Sequence, residues 1–297
     1  MCIRDRPYTF RVGEAREGLV EQDITKLPHM LIAGTTGGGK SMFFRQALLG
    51  LLESSSNIQM YLLDLKQGVE MNDFAKLPNV EVAKNEAEAV TVLENIVIEM
   101  KDRFNHLAKS GKKQIDCTRD KVDRIIVGID EASVLFAKSA GRSKSDNEMS
   151  ARARELTHNI AKLGRAAGIH LVVATQKVTK ETIDTHIQDN IEGRMIFRMH
   201  TPFGSQNVLN AADANKLPDI AGRGIWKCGP ILTTVQAPFI SEEEMEQRLK
   251  QIKGEFEVGD KKNQQKVLYT PISEQHISKE ESEYPVSQEQ NTGGEDA

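Results

Sequence analysis

Gly34, Gly39, Lys40 and Ser41 stand at the spacing G-x-x-x-x-G-K-[ST], inside the run Gly34-Thr35-Thr36-Gly37-Gly38-Gly39-Lys40-Ser41. These residue types at this spacing hold phosphate. A glycine-rich backbone curls with its N–H groups turned inward, in conformations that a Cβ would obstruct. Lys40 brings a point charge to the β and γ phosphates, Ser41 a hydroxyl for Mg²⁺, and a following helix its positive end. The run as a whole, from Gly34 through Thr35, Thr36, Gly37, Gly38 and Gly39 to Lys40 and Ser41, is therefore the expected nucleotide cradle, with ATP and Mg²⁺ as its occupants.

Two further groups of polar residues follow apolar runs. About ninety residues downstream, Arg124-Ile125-Ile126-Val127-Gly128-Ile129 ends on Asp130-Glu131. Ile169-His170-Leu171-Val172-Val173-Ala174 ends on Thr175-Gln176. In an open parallel sheet, ligands bind at the C-terminal edge, where these residues stand. Asp130 is the expected second holder of Mg²⁺, acting through the water shell. Glu131 is the expected general base that orients and polarises the attacking water. Gln176 can reach a γ phosphate or that water and so sense which nucleotide is bound.

The elements that must position these residues are legible as hydropathy patterns. His29 to Ala33 is a continuous apolar run, hence a buried strand. After Ser41 the spacing of Met42, Phe43, Phe44, Ala47, Leu48, Leu49 and Leu52 is helical. Strands are also expected at Tyr8–Val12, around Leu19-Val20, at Ile58–Leu65 and at Arg194–Met199. A helix is expected from Asn85 to about Lys109, burying Ala89, Val92, Leu93, Ile96, Val97, Met100, Phe104 and Leu107. Lys138 to Ser150 reads as a polar loop before a helix from about Ala151 to Ala167, stopped at Gly168. A turn at Thr201–Gly204 leads to a helix through Val208, Leu209 and Ala212. Leu217 to Trp226 reads as bending into a β hairpin that returns through Ile231 to Val235, and Ser241 opens a short amphipathic helix through Met245, Leu249 and Ile252.

The 297 residues are 39% hydrophobic and 28% charged, with a net charge of −4. Residues 241–297 hold 14 acidic and 7 basic side chains, leaving 32 basic and 29 acidic in residues 1–240. A mildly basic body permits nucleic-acid binding without demanding it, because a local patch sets phosphate affinity. No apolar run approaches the ~20 residues that span a bilayer. The expected location of the chain as given is therefore cytoplasmic. Cys2, Cys117 and Cys228 have neither disulfide-framework nor zinc spacing. Residues 1–6 fit nothing that follows and read as a non-native leader, with the true N-terminus missing. Residues 7–253 form the expected motor domain, and 254–297, rich in Gln, Glu, Ser and Lys, an acidic disordered tail.

The assembled blocks resemble the motor domain of the FtsK/SpoIIIE family of double-stranded DNA translocases, over roughly residues 7 to 240. The resemblance rests on Leu27-Pro28-His29 leading into the phosphate loop, Asp64-Leu65-Lys66, Ile129-Asp130-Glu131, Gly164 to Leu171, Ala174-Thr175-Gln176 and Arg194 to Arg198. It implies a RecA-like P-loop NTPase: α/β, mainly parallel sheet with helices on both faces, plus a C-terminal β hairpin. It also implies a homo-oligomer, a hexameric ring around double-stranded DNA, with ATP sites completed by a neighbour's arginine. Where the family commonly shows Asp-Ser-Arg, this chain has Gly204-Ser205-Gln206, so that arginine's role is lost or moved to Arg194, Arg198 or Arg223. Gly222 to Trp226 is similar to motors of conjugative elements. A membrane anchor upstream, or a membrane-anchored partner, would place the native protein at the inner face of the cell membrane. Candidates for contacting duplex phosphates are Arg142, Lys144, Lys177 and Lys180. A motor that moves protein in a secretion system, and a nucleotide-binding subunit that does not hydrolyse, are the alternatives.

Overall fold

The computed structural model describes residues 6–66, 70–137, 141–176, 185–211 and 213–262. Its frame is a ten-stranded sheet in the order β2-β1-β10-β9-β8-β3-β7-β6-β4-β5. The strands are β1 Thr9–Ala15, β2 Gly18–Asp23, β3 His29–Ala33, β4 Ile58–Asp64, β5 Val80–Ala83, β6 Arg124–Asp130, β7 Ile169–Thr175, β8 Gly193–Phe197, β9 Arg223–Cys228 and β10 Ile231–Gln236. The helices are α1 Lys40–Ser54, α2 Glu86–Ser110, α3 Ala132–Leu135, α4 Lys144–Ala167, α5 Thr185–Asp189, α6 Pro202–Leu209 and α7 Glu242–Lys262.

From β5 through β4, β6, β7 and β3 to β8 all neighbours run parallel. β9, β10, β1 and β2 then extend the sheet antiparallel. All five residues of β3 and all seven of β7 are buried, which explains their lack of polar alternation: both faces are covered. Leu31 and Ala33 face one core with α2 and α4, through Leu93, Ile96, Leu156 and Ile160. Met30 and Ile32 face the other, with Phe43, Phe44 and Leu48 of α1 and Met245 and Leu249 of α7. Each such side chain contributes roughly 1.5–3 kcal/mol on burial.

The caps are written in the sequence. Asn85 accepts from the Glu88 amide at the start of α2, and Gly111 closes it in a left-handed conformation. Gly168, at φ 72°, closes α4 as expected.

Several elements differ from the sequence reading. The short helices α3 and α5 were not expected, and the turn expected at Thr201–Gly204 is already helical from Pro202, capped by the Thr201 side chain; Ala212 lies outside the described residues. The supposed loop Lys138–Ser150 is helical from Lys144, because the Ser143 side chain caps the Asp146 amide; residues 138–140 lie outside the described set. Strand β5 was not expected: it is four residues long, carries Glu81, and forms the sheet edge. Helix α7 continues past Gly254 to Lys262, with Phe256 packed on the α1 face, so the compact unit ends at 262, not at 253. The proposed tail from 263 onward, and residues 1–5 of the proposed leader, lie outside the described residues. Arg6 pairs with Glu21 of β2.

Candidate functional site: a phosphate cradle facing an acidic pair

Strand β3 delivers the phosphate loop to the C-terminal edge of the sheet. Gly37 and Gly39 take φ 83° and 106°, where a Cβ is strained. Gly39 also meets backbone: a Cβ there would lie 2.8 Å from the Gly222 nitrogen. The loop is pinned from the β8 side by its Thr35 amide and hydroxyl, both donating to the Arg198 carbonyl at 3.2 and 3.1 Å. It is pinned from the β9 side by the Gly222 amide, which donates to the Gly38 carbonyl at 2.9 Å. The cradle is therefore held from outside before any ligand arrives.

Strand β7 lies between β3 and β6, so Asp130 and Glu131 stand one strand removed from the phosphate loop, at the same edge. Lys40 is buried, and its Nζ lies 3.6 Å from Asp130 Oδ1 and 3.8 Å from Glu131 Oε2. These three atoms, Lys40 Nζ, Asp130 Oδ1 and Glu131 Oε2, are all buried and without a hydrogen-bond partner among the described residues. Buried polar atoms are ordinarily paired. Three that converge, one cationic and two anionic, mark the place where a ligand's charges belong.

The two oxygens of Glu131 have different surroundings. Oε1 accepts from the Ser133 hydroxyl, the Thr175 hydroxyl (3.1 Å) and the Gln176 amide (3.0 Å). Oε2 is left facing Lys40. Glu131 itself sits at φ 63°, a left-handed conformation costing roughly 1–3 kcal/mol in a residue with a side chain. One oxygen fixed and one aimed at the cradle is the geometry that a general base requires.

Gln176, exposed at the end of β7, receives the Thr36 hydroxyl at 3.4 Å and so bridges the middle strand to the phosphate loop. A cavity of about 450 Å³ is lined by Thr35, Thr36, Gly37, Gly39, Lys40, Ser41, Met42, Lys66, Glu70 and Gln176. Ser41 lines this cavity and Asp130 stands behind its Lys40 and Lys66; both carry hard oxygen donors of the kind that fits Mg²⁺.

Arg194 is not brought to this site. Its guanidinium donates to the carbonyls of Ile191, Gln188 and Val208, and burial lowers its basicity. It braces the corner between β8 and α6. Arg198 is at the site's rim: its carbonyl holds Thr35 while its half-exposed guanidinium pairs with Asp219 at 2.9 Å. Arg223 is engaged with Gln236. Gln206 lies on α6, where its carbonyl accepts from the Asn210 amide. Among the proposed duplex contacts, Arg142 is clasped by Ala137, Ser150 and Glu86, whereas Lys144 is exposed beside Glu148. Lys177 and Lys180 lie outside the described residues.

The histidines at the opposite rim are structural. His170 bridges the Pro28 carbonyl (2.9 Å) and Arg124 (2.7 Å), and His29 Nδ1 accepts from the Leu171 amide (3.0 Å). Burial holds His170 well below the usual histidine range and His29 down to about 4. A cavity of about 910 Å³ also lies on that rim, away from the charged cluster, and includes Tyr8, Cys117, Arg124 and Arg165 in its lining.

Lys66, Glu70, Ser133 and Thr175 belong to the site's surroundings and had no assigned role in the sequence. The available signal for Lys66 was Asp64-Leu65-Lys66, polar residues at a strand's C-terminal end, as at Asp130-Glu131 and Thr175-Gln176.

Strand order, phosphate loop and acidic pair together define a RecA-like P-loop ATPase domain. The FtsK/SpoIIIE family profile matches residues 4–146. DNA translocase FtsK of Caldanaerobacter subterraneus is 34% identical over 241 residues, 77% of this chain and 32% of that protein. DNA translocase FtsK of Helicobacter pylori J99 is 30% identical over 252 residues, 80% of this chain and 28% of that protein. The solved structure of the pCW3 conjugation coupling protein TcpA, with ATPγS, superposes with a TM-score of 0.77 at 29% identity, covering 84% of this chain and 72% of that one. The type VII secretion ATPase EccC of Thermomonospora curvata, 24% identical with a TM-score of 0.68, shares the fold. Over residues 4–146 the chain matches the FtsK/SpoIIIE family, and it spans about a third of the length of the FtsK relatives it matches. Among the described residues, no helix is long and apolar enough to cross a membrane.

Proposed function

We propose that the chain is an ATP-driven pump for double-stranded DNA, working as a homo-oligomeric, hexameric ring in conjugative transfer or chromosome partitioning. The observation that carries the catalytic part is the convergence of Lys40 Nζ, Asp130 Oδ1 and Glu131 Oε2, buried, with the lysine within ion-pair distance of both carboxylates and all three atoms without a hydrogen-bond partner among the described residues. The FtsK and TcpA relatives support DNA as the cargo. In this reading the loop amides and Lys40 bind the terminal phosphates, and Ser41 and Asp130 hold Mg²⁺, which supplies charge neutralisation at the phosphate oxygens. Glu131 Oε2 accepts the proton of the attacking water, while Oε1 stays anchored on Ser133, Thr175 and Gln176. Gln176 passes the nucleotide state on through Thr36.

An arginine acting across a subunit interface is worth ~10³ to 10⁵ in rate. Arg198, at the rim and paired with the exposed Asp219, is the candidate we favour over the internally braced Arg194. A membrane-anchored partner, or an anchor of its own, would hold the ring at the inner face of the cell membrane.

The test is ATPase rate against protein concentration and against duplex, single-stranded or no DNA, with Lys40→Ala as the control. Turnover per subunit that climbs with concentration and is stimulated by duplex, steeply weakened by salt, supports the pump. Turnover indifferent to every DNA overturns the DNA cargo and favours a protein-moving motor. Absence of turnover in the assembled protein favours a non-hydrolysing subunit.

A further inference from the structure

Lys66 is an unexpected resident of the nucleotide cavity. Its Nζ donates to Asp130 Oδ2 at 3.1 Å and lies 3.5 Å from Glu70 Oε1. Asp130 is thus flanked by two lysines: Lys40 faces Oδ1, unbonded at 3.6 Å, and Lys66 takes Oδ2. The two differ in burial. Lys40 is buried at the start of α1, whereas the Lys66 side chain is about one-third exposed, at 35%. Its backbone is fixed, because Asp64 Oδ1 accepts the Lys66 amide at 3.0 Å, and Asp64 Oδ2 accepts the amides of Glu70 and Met71. Asp64, fully buried and in register with Asp130 on the neighbouring strand, therefore anchors both ends of the segment that carries Lys66 and Glu70. What remains free is a flexible four-carbon stem with a cation at its tip, between one buried carboxylate and one partly exposed one.

The charges explain why it stands there. With the cavity empty, Asp130 and Glu131 carry two negative charges in a buried place, and a buried carboxylate without a counter-ion is strongly unfavourable. Lys40 and Lys66 balance them. A divalent cation held by Ser41 and Asp130 would supply the same charge to the same carboxylate, so the Lys66 ammonium and the metal compete for Asp130.

We propose that Lys66 is an exchangeable counter-ion for Asp130: it neutralises the carboxylate in the metal-free site and yields it to the divalent cation, moving onto Glu70. Glu70 is suited to receive it, since its Oε2 is a buried oxygen without a hydrogen-bond partner among the described residues. Lys66 is thus a positioning residue that sets how much Mg²⁺ the site requires. The proposal rests on the nucleotide reading above, and its test separates the two.

The measurement is the Mg²⁺ concentration that half-saturates binding of the fluorescent nucleotide mant-ADP, together with the rise in Tm that Mg²⁺ and ADP produce. Lys66→Met removes the competitor. Its half-saturating Mg²⁺ should fall by about threefold to fivefold, the size expected of a partly exposed ion pair. Its ligand-free Tm should drop, so that the Tm rise on adding ligand exceeds that of the wild type. Lys66→Arg retains the charge and should stay near the wild-type Mg²⁺ requirement. An unchanged or raised requirement in Lys66→Met overturns the proposal, as does Lys66→Arg behaving like Lys66→Met. Should Lys66→Met fail to fold, Glu70→Gln gives the opposite test. Without the second acceptor Lys66 stays on Asp130 and the requirement rises; a fall overturns the proposal. A wild type that binds mant-ADP at no Mg²⁺ concentration would instead overturn the nucleotide reading itself.

Discussion

The two oxygens of Glu131 carry the chemical argument at the scale of the residue. If Oε2 is the base and Oε1 the anchor, substitutions on the two sides must differ in kind. Glu131→Gln keeps the shape and the hydrogen bonds to Oε1 but cannot take a proton. It should bind ATP with near wild-type affinity while kcat falls by about 10²- to 10⁴-fold. Thr175→Val removes one donor to Oε1 and leaves the base in place. A hydrogen bond to a charged carboxylate is worth about 1.5–3 kcal/mol, so kcat should fall by about 10- to 100-fold with KM unchanged. Equal kcat in Glu131→Gln and wild type would remove Glu131 from catalysis, and a shifted KM in Thr175→Val would mean that it shapes the binding site. The sequence made Gly34 to Ser41, Asp130, Glu131 and Gln176 legible because each stands where an apolar strand ends. It did not separate Arg194 from Arg198. Those two residues lie four apart and share a charge, one on β8 and the other just past its end, and only the fold shows that one is turned onto inner carbonyls and the other onto a surface aspartate.

At the scale of the element, the regular parts of the core were legible and the ends were not. The apolar runs of β3, β6 and β7 permit one reading only. β5 was missed because an edge strand of four residues carrying Glu81 lacks a hydrophobic run. The start of α4 was missed because Ser143-Lys144-Ser145-Asp146 has the composition of a loop, although a serine three residues before an aspartate is also a helix cap. α7 was cut short at Gly254 because the composition turns polar there, although Phe256 still packs on the α1 face. It is clamped to α1 by two ion pairs, Arg45 with Glu242 in a bidentate fork at 2.6 and 2.7 Å, and Arg248 with Glu53. Arg45 is mostly buried and Glu242 mostly exposed, and the fork raises the basicity of the one and lowers that of the other. The two single substitutions should therefore be unequal. Arg45→Met returns Glu242 to water and exchanges a buried ion for a buried thioether, whereas Glu242→Gln leaves a buried guanidinium without its charge partner. Glu242→Gln should lower Tm more than Arg45→Met, by several degrees at about 2–4 °C per kcal/mol for a domain of this size. Thermal unfolding of the two variants beside the wild type checks the order, and the reverse order would mean that the exposed partner carries the pair.

At the scale of the whole molecule, the two rims of the sheet divide the work. The C-terminal rim gathers the cradle, the acidic pair and Lys66. At the other rim His29 and His170 stitch β3 to β7 as neutral rings, next to the cation of Arg124. The groups facing His170 from neighbouring elements are Arg124 on β6, His29 on β3 and Arg165 on α4, all of which oppose its protonation; the Pro28 carbonyl alone favours it. His29 is likewise held down by burial and by Arg165. In the unfolded chain both rings titrate near 6.5. Between that value and about 4 the unfolded chain therefore binds protons that the folded one refuses, and stability rises with pH across that window. The contribution is complete above about 6.5 and is lost as pH falls toward 4. His170→Asn, which cannot be protonated and whose amide can still donate to the Pro28 carbonyl but not reach Arg124, should be less stable than the wild type at pH 8, yet lose less stability between pH 7 and 5. Denaturant unfolding at these pH values reads the difference directly. If the variant and the wild type lose stability in parallel, the acid sensitivity arises elsewhere, and this rim contributes packing alone. Because the nucleotide cluster stands at the opposite edge, the same substitution should leave mant-ADP affinity at pH 8 as it was. A change there would mean that β7 transmits strain from rim to rim, which is the behaviour a motor's central strand needs and a passive scaffold lacks.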